Sequence, residues 1–384
     1  MTLLAGVANA DELKIGALLP LTGDLQAFGE ANLNGVRLAE EQINEAGGVN
    51  GAPIQLVVAD TQTSPVAGVD AAQKLVNVDG VHGIVGAMGS GVTIPVATSV
   101  TSRAGVVTIS PSATSPTITT LDDNGYLFRT APSDAYQGAA LANLVMGKGT
   151  KTVSIIYVNN DYGEGLANAF QTNYEKAGGS VAQSVAFEQG QPSYRGEVQR
   201  AAQGDSEALI VIAYPESGQV ILTQALEGGH FTNFIFTDGM KDPGLIELIG
   251  ADFLDGAYGT MAAAAESPQL AAFVSAYQPR FGDPLAYVDG AYDAMMLIAL
   301  AAQKAGSNDR TAIRDALREV SNPPGEEVGP GEFAKAVSLL KEGKDINYQG
   351  AAGSQDFDEN GDVPGRIGEW RFSGDTIEEV GEVK

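Results

Sequence analysis

The chain has 384 residues, 48 of them acidic and 22 basic, which leaves a net charge of -26 at pH 7. That length exceeds what one hydrophobic core usually serves, so two lobes are expected. The negative balance argues against nucleic acid or an anionic membrane surface as partner and suits a soluble protein, including one in a saline medium. With no cysteine and two histidines, the chain has no disulfide, thiolate nucleophile, zinc-cysteine site or lipid-bearing cysteine, and little for acid-base chemistry.

The opening residues, Leu3-Leu4-Ala5-Gly6-Val7-Ala8-Asn9-Ala10, resemble the tail of a secretory signal with an Ala-x-Ala cleavage site before Asp11. Residues 1–10 are read as a signal-peptide remnant, and ordered structure is expected from about Leu13. No later apolar run approaches the ~20 residues needed to cross a bilayer. An exported, soluble protein without a lipid anchor is expected.

Beyond that point apolar runs of strand length alternate with amphipathic segments of helix length. Strands are expected at Lys14 to Leu19, Ile54 to Ala59, Gly83 to Val85, Val106 to Ile109, Val153 to Val158, Ala208 to Ile212 and Asn233 to Phe236. Between the first two lies a helix with Leu33, Val36, Ala39 and Ile43 on one face and Gly47-Gly48 as its stop. This βαβ rhythm specifies an α/β fold with parallel sheets covered on both faces. The rhythm also repeats: one strand leads to Phe28-Gly29-Glu30 and a helix ending Ala46-Gly47-Gly48, another to Tyr162-Gly163-Glu164 and a helix ending Ala177-Gly178-Gly179. Two lobes on one plan are the simplest account.

Two segments have the chemistry of an anion site. Gly86-Ala87-Met88-Gly89-Ser90-Gly91 follows a strand and precedes a helical pattern, so its amides and the Ser90 hydroxyl could hold a carboxylate. Its glycine spacing departs from the dinucleotide fingerprint. Ile109 to Thr117 turns abruptly from apolar to hydroxyl-rich at the end of the next strand, the edge at which ligands bind in open α/β sheets. The same hydroxyls also suit a turn that caps a helix.

Other motifs point away from chemistry. Gly147-Lys148-Gly149-Thr150 precedes a strand where a phosphate loop follows one, and reads as a turn. Asp356-x-Asp358-x-Asn360-Gly361 begins like a calcium loop but has Ile367 where a bidentate glutamate is needed, so a turn between strands is expected. Ser321 to Gly331, rich in Pro and Gly, is expected to be a loop. His82 and His230 fall just before strands, at the edge opposite the ligand edge, where neither could activate a serine. Acidic residues are plentiful, yet nothing selects a pair for glycoside chemistry. Neither an enzyme nor a bound cofactor is expected.

Lys14-Ile15-Gly16-Ala17-Leu18-Leu19-Pro20-Leu21-Thr22-Gly23, then Phe28-Gly29, then a helix ending Ala46-Gly47-Gly48-Val49-Asn50-Gly51, resembles the opening of periplasmic leucine/isoleucine/valine-binding proteins, the type I solute-binding family of ABC importers for amino acids and amides. The resemblance continues through Ser90, Ile109 to Thr119, Asp161-Tyr162-Gly163-Glu164-Gly165, Tyr214-Pro215-Glu216-x-Gly218-Gln219 and Phe357-Asp358-x-x-Gly361-Asp362. It implies two Rossmann-like lobes with parallel-rich sheets and a three-crossover hinge, crossing near Thr130 to Pro132, Met261 to Ala263 and Arg366 to Trp370. Lobe 1 would comprise 11–131 and 262–366, and lobe 2 132–261 and 367–384.

The resemblance also implies roles. Ser90 and Thr114 match positions that bind the ligand α-carboxylate, and Ser112 one whose carbonyl meets the α-ammonium. Tyr162 and Tyr287 match aromatics that cap the ligand from opposite lobes, Phe28 one that borders its side chain, and Asp134 a polar contact on the second lobe. Asp238 is the nearest acid for the ammonium. The implied function is a monomeric periplasmic receptor that takes a small amino acid, aliphatic above all, and presents it to an ABC permease. The alternatives are a binder of another small carboxylate or amide, such as an aromatic acid, a γ-amino acid or a short amide, and a cytosolic ligand-sensing regulator on the same fold.

Three departures stand out. The family disulfide at the serine turn has no counterpart, with Gly89 at that place. The tyrosine expected before Pro215-Glu216 falls on Ala213, with Tyr214 shifted by one, and placing Asp238 needs a one-residue gap. The Pro/Gly-rich segment before Asn347 is longer than in the branched-chain binders.

Overall fold

The computed structural model describes residues 12–263 and 266–383. The signal-like segment lies outside them. Strand β1 (Leu13–Leu19) is buried along nearly its whole length, as a parallel strand covered on both faces must be. It joins β2 (Ile54–Asp60), β3 (Gly83–Gly86), β4 (Val107–Ser110) and β5 (Leu127–Arg129) in an all-parallel sheet of order β2-β1-β3-β4-β5.

The second sheet begins with β6 (Thr152–Val158), β7 (Ser180–Phe187), β8 (Ala208–Ile212), β9 (Phe234–Phe236) and β10 (Tyr258–Ala262), again parallel. After the short sheet of β11 (Glu326–Val328), β12 (Ile346–Gly350) and β13 (Gly353–Ser354), the chain returns as β14 (Ile367–Ser373), antiparallel to β10, and β15 (Thr376–Glu382) on its outer side. The fold is therefore α/β with two lobes and parallel-rich sheets.

The chain passes between the lobes three times: after Arg129, after Ala262, and before Ile367. Ala262 is still paired with Ile367, so the second and third passages run side by side. Trp370 lies fully buried within β14, inside the second lobe.

Helix Gln26–Glu45 buries Leu33, Val36, Ala39 and Ile43, and Gly47 and Gly48 end it at φ 101° and 73°. Helix Val288–Ala305 is apolar on nearly all sides and lies in the core of the first lobe. Ser321 to Gly331 is not wholly a loop: Glu326–Val328 pairs with β12, which two-residue periodicity could not reveal in so short and charged a strand. At Asp358 the expected turn forms, its Oδ1 accepting from the amides of Asn360 and Asp362. His82 Nδ1 accepts from the Lys14 amide at the start of β1, and His230 lies before β9, both away from the strand ends that carry the cleft.

The repeated aromatic-Gly-Glu motif has one steric cause in both lobes. Each helix turns back so closely over its preceding strand that a Cβ on Gly29 would stand 1.9 Å from Pro20 O, and one on Gly163 2.0 Å from Val158 O. Gly163→Ala is expected to cost about 1–3 kcal/mol in urea unfolding. Gly196→Ala, in open space on helix Arg195–Ala201, should be neutral or gain up to ~1 kcal/mol; equal effects would refute the steric account.

Candidate functional site

Six strands deliver the site at their C-terminal ends, which face each other across the two lobes. Phe28 follows β1, Ser90 follows β3 and Ser112 follows β4; from the second lobe Tyr162 follows β6, Tyr214 follows β8 and Asp238 follows β9. With Tyr287 and the apolar side chains of Leu25 and Met88, they line one interlobe cavity. Its free space is small, about 30 Å³, room for two or three waters. The cleft is closed.

Asp238 is the electrostatic centre. Its Oδ1 accepts from Gln137 Nε2 at 2.9 Å and from the Tyr162 hydroxyl at 2.8 Å, and its Oδ2 accepts from the Tyr287 hydroxyl at 3.0 Å. The carboxylate is 4 % exposed and has no cation within ion-pair distance among the described residues. Burial raises its pKa above the ordinary 3.8, while the three side-chain donors hold it down. Asp134, fully buried, is raised well above 3.8, first by burial and then by the charge of Asp238. Burial also raises the phenols of Tyr162, Tyr214 and Tyr287, so all three are donors at neutral pH.

Around this centre the rings are ordered. Tyr162 and Tyr214 stack with centroids 5.6 Å apart and planes 14° from parallel, and Asn160 Nδ2 donates to the Tyr214 hydroxyl at 3.2 Å. Tyr287 takes a left-handed backbone, φ 65°, just before helix Val288–Ala305. Non-glycine residues rarely adopt that conformation, and it costs of order 1–3 kcal/mol. Its hydroxyl reaches across the cleft to Asp238.

The hydroxyl-rich loop supplies the opposite wall. Ser90 Oγ accepts from the Ser115 amide at 3.1 Å, and among the described residues its own proton has no acceptor. Ser112 spends its proton on Met88 O at 3.2 Å. Thr114 donates to Asp134 Oδ2 at 2.8 Å, and neither of these two lines the cavity. Of the eight sequence-derived residues, Phe28, Ser90, Ser112, Tyr162, Asp238 and Tyr287 share the cavity wall, while Thr114 and Asp134 form a bridge between the lobes behind it.

Among the described residues, no group of three or more His, Cys, Asp or Glu side chains is arranged to hold a metal ion, and no helix is long and apolar enough to cross a membrane. The cavity wall contains no histidine or lysine.

A sequence model of the periplasmic binding protein family matches residues 12–334. The chain belongs to this family. It is 33% identical over 325 residues to the leucine-, isoleucine-, valine-, threonine- and alanine-binding protein of Pseudomonas aeruginosa, covering 82% of this chain and 85% of that protein. It is 30% identical over 352 residues to the substrate-binding protein BasB of a Halobacterium salinarum chemotactic signal transduction system, with 89% and 83% covered. Among solved structures, a leucine-binding protein from Thermotoga maritima superposes with a TM-score of 0.83 at 26% identity, covering 97% of this chain and 99% of that one. The isoleucine complex of a branched-chain amino acid transporter substrate-binding protein from Streptococcus pneumoniae gives 0.81 at 25%, covering 97% and 99%.

Within this periplasmic binding protein, sequence reasoning left one contributor undecided, Ala213 or Tyr214, and passed over two, Gln137 and Arg129. Ala213 is buried and Tyr214 occupies the cavity wall, a place signalled by Tyr214-Pro215 directly after a buried strand. Gln137 orients Asp238 from the helix that begins at Asp134. Arg129, with no exposed surface, donates to both oxygens of Asp362, at 2.6 and 2.8 Å, to Thr119 Oγ1, and to the carbonyls of Ala113 and Ser115. It clamps the hydroxyl loop from beneath and ties it to Asp362. Removing one partner of a buried ion pair leaves the other uncompensated and costs about 3–5 kcal/mol. Arg129→Met is expected to lose stability on that scale in urea unfolding, and a loss below ~1 kcal/mol would assign it no clamping role.

Proposed function

We propose that the chain captures an aliphatic amino acid, a branched-chain one above all, in the interlobe cleft and hands it to the membrane permease of an ABC importer. The observation that carries this reading is Asp238, a buried carboxylate with no counter-charge among the described residues at the end of a cavity walled by Leu25, Phe28, Met88, Tyr162 and Tyr214. A buried unpaired charge is costly, and a ligand ammonium neutralises it. The ligand names of the relatives agree with this chemistry.

In the proposed complex the ammonium meets Asp238 and the main-chain edge at Ser112. The carboxylate takes the free Ser90 proton. Thr114 joins it by giving up its bond to Asp134, which couples carboxylate binding to the bridge between lobes. The ligand side chain lies against Phe28 and Tyr214, and the space now present is too small for it, so the lobes part about the three crossovers to admit ligand. No step makes or breaks a covalent bond. The receptor acts as a monomer in the periplasm.

Calorimetry with leucine, isoleucine and valine tests this. Asp238→Ala is expected to weaken binding by roughly tenfold or more, the loss of one charge-assisted hydrogen bond of about 1.5–3 kcal/mol. An unchanged affinity removes Asp238 from the site. The affinity also depends on pH with a definite sign. Since burial raises the carboxyl above 3.8, its charged form is present at high pH and lost as pH falls through the raised value, before an ordinary aspartate would protonate. Binding should therefore weaken on acidification above that ordinary range and stay level toward neutral pH. A profile flat down to pH ~4 would sink the ammonium assignment.

A further inference from the structure

A second cavity lies against the three crossovers. Thr130, Met261 and Arg366 mark its contact with each connecting segment, and Tyr287 and Asp289 wall it from the first lobe. Its free space is about 190 Å³, against about 30 Å³ for the amino-acid cavity. An engineered cavity of ~150 Å³ holds benzene, so this one admits a molecule of roughly seven heavy atoms. It stays open because the residues facing it are small, Ala262, Gly290 and Ala352 among them. Tyr287 is its common wall with the amino-acid cavity, from which it is otherwise distinct.

Its chemistry comes from Asp289. One carboxylate oxygen accepts from the Gly290 amide at 2.9 Å, and among the described residues the group makes no ion pair. Burial raises its pKa, opposed first by hydrogen bonds from the Gly290 and Asp289 amides and least by the charge of Lys241. The two nearby cations are committed elsewhere, Lys241 to Glu379 and Arg366 to Glu382. A place in the first turn of helix Val288–Ala305 accounts for an acid here. It does not account for a void of this size in front of that acid. We propose that this hinge cavity is a second ligand site, selective for small organic ammonium compounds whose charged end meets Asp289 and whose apolar body fills the alanine-lined space.

The test uses cyclohexylammonium chloride, seven heavy atoms with one charge, titrated into the whole protein by calorimetry at fixed ionic strength. Binding is expected to wild type and equally to Asp238→Ala, to fall roughly tenfold in Asp289→Asn through loss of one charge-assisted bond, and to disappear in Ala352→Leu, which fills the space. The neutral isostere cyclohexanol should bind at least tenfold more weakly. No binding to wild type, unchanged binding to Asp289→Asn, or equal binding of cyclohexanol overturns the proposal. Loss of binding in Asp238→Ala also overturns it, because the amine then sits in the amino-acid cleft. Leucine titrated into the same variants reads the amino-acid site separately, so failure of either assignment leaves the other standing.

Discussion

A parallel strand can be followed by another only after the chain has travelled back to the starting edge of the sheet. Every loop that leaves a strand therefore lies on one edge and every returning loop on the other. With two such sheets set edge to edge, the loops after β1, β3 and β4 meet those after β6, β8 and β9. The site follows from that constraint. Residues between Phe28 and Tyr287 line a single small cavity because each stands at the mouth of its own strand, or at the start of the helix that closes the ring.

What the cleft does chemically is decided by an imbalance of charge. Asp238 and Asp134 are both buried, their carboxyls raised by burial, and the side chains that hydrogen-bond to them are neutral donors: Gln137, Thr114, Tyr162 and Tyr287. The hydrogen bonds keep Asp238 in place without neutralising it. A site built this way is complementary to a cation at one end. The free Ser90 proton at the other suits an anion, and the aromatic and aliphatic walls between them suit an apolar side chain.

Holding so polar a loop still requires a scaffold. With no cysteine in the chain the hold is non-covalent, and Arg129 supplies it: its planar fork binds Asp362 and the carbonyls around Ser115 at once. The same pair ties the loop after β4 to the segment just ahead of the third crossover. Loop order and hinge position are thus linked by one buried side chain.

Much of this was legible in the residues. The strands from Lys14 to Phe236 announced themselves as apolar runs because parallel strands are buried on both faces, and the alternation with helices named the fold class. β5, only three residues long, β10, interrupted by Gly259 and Thr260, β7, with exposed and polar positions at the sheet edge, and β14, paired antiparallel, lacked that signal. Ser90 and Ser112 could be picked because each stands in the loop at the end of its strand, while Phe28, Tyr162 and Asp238 come from the family resemblance. Gln137 beneath Asp238 and Arg129 beneath the loop could not, since their partners, Asp238 and Asp362, lie more than a hundred residues away; Tyr214 is signalled by its place after a buried strand, but the choice between it and Ala213 rests on which side chain turns into the cleft. Periodicity and composition act over neighbours along the chain and so determined class, lobes and strand ends. Which groups share a hydrogen bond across the cleft, and how much space they leave, only the packed tertiary structure decided.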